Sequence, residues 1–65
     1  MTNAELKEAL LQKFPVVCRN VKYAYVSAIL YRAVNGGIVV TAELMDIRGK
    51  SVTIAEAKNI ERSDV

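Results

Sequence analysis

Asn35-Gly36 separates two stretches in which apolar and other residues alternate, and it constrains the chain more than any other feature. A two-residue type I′ turn needs positive φ at both central positions, and Asn-Gly is its strongest short-range signature. The flanking residues then have to be paired antiparallel strands. A two-residue loop sets Ala33 opposite Ile38, Tyr31 opposite Val40, Ile29 opposite Ala42 and Ser27 opposite Leu44. One face of the ladder becomes almost wholly apolar, interrupted only by Ser27. A slip of one residue would scatter that face, so the register is fixed.

Upstream of the ladder the period is different. Leu6, Leu10 and Phe14 recur every four residues, with Leu11 beside them and Glu5, Glu8 and Gln12 mostly elsewhere. This is the apolar stripe of an amphipathic helix. Thr2 and Glu5 match a capping box at its start. Pro15 lacks an N–H and forces Phe14 out of the helical region, which ends it. A helix is predicted over 2–14. Val16 to Asn20 is β-rich and then turns at Arg19-Asn20.

Strands are predicted at about 21–34, 38–46 and 50–55, with 59–62 as a short closing strand after a helical turn. Asp46-Ile47-Arg48-Gly49 has Asp first and Gly fourth, as a type I turn prefers, with Gly49 free to form a G1 bulge. The bulged loop pairs Lys50 with Asp46, Val52 with Leu44 and Ile54 with Ala42, which directs Val52 and Ile54 to the inner face. Residues 63–65 are expected to fray. The fold class is α+β: one domain over 1–65, a short helix packed on a three- to four-stranded antiparallel meander. The meander is either open or curled as an SH3-like small barrel.

Sixty-five residues bury only about 60% of what the unfolded chain exposes, so such domains often need a staple or a partner. Cys18 is alone and there is no histidine, which excludes an internal disulfide and makes a zinc site improbable. No cofactor is expected. Catalysis at Cys18 lacks an activating base, and the thiol reads as a small buried hydrophobe. Gly36-Gly37 belongs to the hairpin, and the turn position of Asp46 accounts for that carboxylate. The chain reads as a non-enzyme. No apolar run approaches the ~20 residues of a membrane span, and a free thiol without secretory features fits a cytoplasmic protein.

Two surfaces remain. The outer face of the sheet carries Val26, Leu30, Val39 and Met45, diluted by Lys22, Arg32, Thr41 and Glu43. One helix cannot cover both faces of a sheet, so either the strands curl over this face or a second chain covers it. An apolar patch of that extent marks an interface, here expected in a homodimer. The other surface is Tyr23 and Tyr25 with Lys22 and Arg32. Aromatic residues interleaved with cations suit single-stranded nucleic acid, which stacks bases on exposed rings. Against that, Tyr23 and Tyr25 share the parity of the core face, and the net charge of +2 is small.

The segments Tyr25 to Arg32, Glu43 to Asp46 and Gly49 to Ala55, within Val21 to Ile60, resemble small open-reading-frame proteins of phages and prophages of Gram-positive bacteria. The resemblance is one of pattern and implies context: a small accessory protein that works by binding. It carries over no functional residue. The function expected is a binding module that engages a protein partner or sequesters a small ligand as a homo-oligomer. A sheet-based or SH3-like nucleic-acid binder is the alternative.

Overall fold

The computed structural model describes residues 1–63. Helix α1 runs Asn3–Gln12, and its start is the capping box the sequence announces. The Glu5 N–H donates to Thr2 Oγ1 at 3.1 Å, and the Thr2 N–H donates to Glu5 Oε1 at 2.8 Å. The helix ends two residues earlier than expected. Lys13 turns left-handed at φ 55°, its N–H donating to the Ala9 carbonyl at 2.9 Å, before Pro15 is reached.

Two three-stranded antiparallel sheets follow. In the first, β1 (Val16–Cys18) lies between β2 (Val21–Tyr23) and β6 (Ile60–Arg62). The β-rich stretch before the Arg19-Asn20 turn forms β1 because Arg19 and Asn20 both take positive φ, 51° and 66°. That is the type I′ geometry, and it folds Val21 back onto Cys18. The predicted strand 21–34 is therefore two strands, bent at Ala24, whose N–H donates to the Met45 carbonyl at 2.8 Å.

The second sheet runs β3 (Tyr25–Val34), β4 (Gly37–Met45) and β5 (Val52–Glu56). The Asn35-Gly36 register holds from Val34↔Gly37 through Ile29↔Ala42. It then shifts at Ser27, a β-bulge, so that Leu44 faces Val26 instead of Ser27. The bulge moves Val26 from the expected outer face into the core, where it is fully buried. Ser27 Oγ donates to the Glu43 carbonyl at 3.2 Å.

The register after Asp46 also differs from expectation. Gly49 does take positive φ, 70°, and its N–H donates to the Asp46 carbonyl at 2.8 Å, closing a turn. The Asp46 N–H, however, donates to the Ser51 carbonyl at 2.9 Å, which makes the loop Ile47 to Lys50. Val52 consequently pairs with Met45 and Ile54 with Glu43. Both side chains lie on the outer face, and Thr53 and Ala55 take the inner one. A 3₁₀ turn, Ala57–Asn59, then leads into β6, the closing strand.

The core is small. Leu6, Ala9, Val16, Cys18, Val26, Ala42, Leu44 and Ile60 are buried, drawn from the helix and both sheets. The helix packs mainly on β3. Leu10 and Phe14 lie at the core's margin, and Leu11 points to solvent at 81% exposure. The Met1 amino group donates to the Ala57 and Ile60 carbonyls at 2.6 and 2.9 Å, tying the helix start to the 3₁₀ turn. The Ser63 N–H donates to the Pro15 carbonyl at 3.0 Å, so the last described residue is held; the expected fraying of Asp64 and Val65 lies outside the described residues. The strand path curls, but β5 has no hydrogen-bonded neighbour beyond β4. The barrel does not close.

Candidate interaction surface

The β3–β4–β5 sheet has its inner face toward the helix and core, and its outer face has no layer over it among the described residues. Paired residues of an antiparallel ladder share a face, so the register builds the outer face row by row. Tyr25, Met45 and Val52 form one row, Ala28, Glu43 and Ile54 the next, then Leu30, Thr41 and Glu56, then Arg32 with Val39. Of the four residues expected at an interface, Leu30, Val39 and Met45 lie on this face and Val26 does not. Leu30 is 40% exposed, and Val39 and Met45 are half-buried. Val52 and Ile54, which the sequence reading placed inside, are 44% and 52% exposed here. The face therefore gains two apolar side chains and loses one.

The far end of the β3–β4 hairpin projects beyond the helix. Residues 33–38 are all exposed. Tyr31, expected under the helix, sits at its edge, 55% exposed, with its hydroxyl donating to Asn3 Oδ1 at 2.6 Å. The long axis of the molecule, 37 Å against 22 and 21 Å, reflects that projection.

Along the open edge of β5 runs a cleft of about 380 Å³. Thr53 to Glu56 of β5 line it together with Cys18, Arg19, Val21 and Tyr23 of the β1–β2 hairpin and Asn59. Cys18 reaches it only marginally, being a buried free thiol. The cleft exists because sheet β2–β1–β6 and β5 diverge where a closed barrel would have paired them.

The four residues of the nucleic-acid reading do not share a surface. Lys22 alternates with Val21 and Tyr23 along β2, so it faces away from them. Tyr23 is half-buried against the core. Tyr25 has one ring face under Lys13, whose Nζ stands 4.6 Å from the ring centroid. Arg32 is seven positions further along β3, roughly 20 Å away at the usual strand rise. Arg62 similarly stacks on Phe14 at 4.1 Å. An electrostatic perturbation lies at the helix start, where Glu5 lines a small cleft together with Phe14 and Arg62. The Thr2 backbone N–H, and then its hydroxyl, hold the Glu5 carboxyl below the ordinary glutamate value.

Among the described residues no group of three or more His, Cys, Asp or Glu side chains is placed to hold a metal ion. No helix among them is long and apolar enough to cross a membrane. No protein-family model matches the chain, and no curated protein or solved structure matches it at a significant level. The fold defines its class: an α+β domain of one helix and antiparallel sheets.

Proposed function

We propose that this protein is a small non-enzymatic interaction module, of the accessory kind found in phages and prophages, that works in the cytoplasm as a homo-oligomer. The β3–β4–β5 sheet is its binding element. One observation carries the reading: Leu30, Val52 and Ile54 are each 40% exposed or more on a sheet face that no layer covers among the described residues. Antiparallel sheets with one free face ordinarily alternate apolar and polar residues. Here the free face keeps Leu30, Val39, Met45, Val52 and Ile54 beside only a few charges, and a concentrated apolar patch of this kind marks a contact surface. A partner protein is the ligand that suits it. Nucleic-acid binding through Lys22, Tyr23, Tyr25 and Arg32 has no shared face to support it.

The test is molar mass in solution by light scattering at concentrations up to about 100 µM, together with binding of a dye that fluoresces on apolar surface. A mass at a multiple of the 7.2 kDa chain is expected. A 7.2 kDa species throughout, with no dye binding, would overturn the proposal.

A further inference from the structure

Taking the reading of the sheet as a self-associating element, we infer that two copies of this chain pair edge to edge through β5, antiparallel and centred on Thr53. β5 is the last strand of its sheet. Natural edge strands are blunted by proline, inward-pointing charge, a bulge or a covering segment. Val52-Thr53-Ile54-Ala55-Glu56 has no proline, and its inward residues are Thr53 and Ala55. The cleft beside it keeps the chain's own β1–β2 hairpin off the edge.

The hydrogen-bonding parity can be worked out. Antiparallel pairs alternate between bonded and non-bonded. Asp46 donates to Ser51, so the bonded pairs between β4 and β5 are Leu44 with Thr53 and Ala42 with Ala55. Val52, Ile54 and Glu56 therefore turn their N–H and C=O groups to the open edge.

Charge complementarity then selects the register. A two-fold antiparallel pair must be centred on a residue, because opposed side chains share a face. Centring on Ile54 sets Val52 against the partner's Glu56, and centring on Ala55 sets Ile54 against it. Centring on Thr53 sets Val52 against the partner's Ile54 and brings Lys50, the last residue of the preceding loop, beside the partner's Glu56, and each match occurs twice. Two apolar pairs are flanked by two opposite-charge pairs, and the bonded positions coincide with the groups that β5 presents. In the monomer Glu56 pairs with exposed Lys58 at 3.4 Å, a contact cheaply exchanged. The product is a six-stranded sheet with the two outer faces side by side, Val52 and Ile54 of both copies at its centre.

Charge reversal tests the register. Lys50→Glu or Glu56→Lys alone should weaken the dimer about five-fold or more, since two ion pairs per dimer become like-charge contacts. The Lys50→Glu/Glu56→Lys double variant should restore it. Thr53→Cys should cross-link to itself under mild oxidant, because directly opposed non-bonded positions have Cα atoms about 4.5 Å apart, within disulfide range. Ser51→Cys or Ala55→Cys alone should not, but a mixture of the two should. The parent, with only buried Cys18, is the blank. A dimer that ignores both charge reversals, fails to cross-link at Thr53 and dissociates with Leu30→Lys would refute edge pairing while leaving self-association through the face intact. A parent that is monomeric throughout would refute both.

Discussion

Replacing Leu6 by alanine tests whether the helix is bound to the sheets through the small core. Leu6 is fully buried, one of eight buried side chains among the described residues. The substitution removes three carbons, worth about 2.5 kcal/mol at ~0.8 kcal/mol per buried methylene. The buried cluster around it is drawn from the helix and both sheets, whose backbones are fixed by hydrogen bonds, so the site collapses incompletely and a cavity term is added. The expected total is about 3–4 kcal/mol. A domain of this length has roughly 3–10 kcal/mol of stability in all, and each kcal/mol moves the melting temperature by about 4–8 °C. Leu6→Ala should therefore melt at least about 12 °C below the parent or be unfolded. Leu11→Ala, at a position 81% exposed one helical face away, should stay within about 0.5 kcal/mol. Circular dichroism melts and urea titrations at one fixed protein concentration measure both, since the proposed self-association would make stability concentration-dependent. Equal costs for the two variants, or a near-parental Leu6→Ala, would mean that the helix is not docked on its Leu6–Ala9 face.

Alanine at Gly36 or Gly49 should cost about 1–2 kcal/mol by denaturant titration, because φ is +79° and +70° there with open space around the added carbon, so backbone strain is the whole cost. Gly37→Ala, with no positive φ and its nearest neighbour at 3.7 Å, should be close to neutral in the same titration. Thr2→Ala should cost about 1 kcal/mol and move the Glu5 carboxyl back toward its ordinary value, followed by NMR titration of its side chain. Because the folded-state pKa of Glu5 is depressed, its capping contribution is present above the unfolded value and is lost as pH falls through the folded one. The stability difference between parent and Thr2→Ala should accordingly shrink on acidification. Cys18, buried, should react with a thiol reagent only as fast as the core opens, and much faster in the Leu6→Ala variant.

The parts of the fold that were legible in the sequence are those where one local rule acts alone. Asn35-Gly36 set the β3–β4 register, and Thr2 with Glu5 set the helix start. The missed parts are those where two rules compete. Strict alternation through Val26 and Ser27 put a serine in the core and a valine outside, and the chain removes that conflict with one inserted residue. The polar Ser27 on an otherwise apolar face was the available signal. At Asp46 to Lys50 the positive φ of Gly49 was readable, yet φ at one residue does not fix how many residues the loop holds. Sending Val52 and Ile54 inward requires a core large enough to take them. With Leu6, Leu44 and Ile60 already filling it, the inner positions of β5 fall to Thr53 and Ala55.

That displacement also decides where the surface chemistry lies. The sequence reading centred the interface on Val26, Leu30, Val39 and Met45, which run across β3 and β4. The observed register withdraws Val26 and brings Val52 and Ile54 to the surface on the edge strand. Apolar exposure thus moves from the middle of the sheet toward its β5 margin. There the backbone groups of β5 also lack partners within their own sheet, and a buried unpaired backbone group costs about as much as a lost hydrogen bond. A partner that covered Val52 and Ile54 without supplying a strand would bury those groups unsatisfied. An added strand would satisfy them and cover the side chains in the same step, which is the argument for the proposed contact at the edge over one at the face.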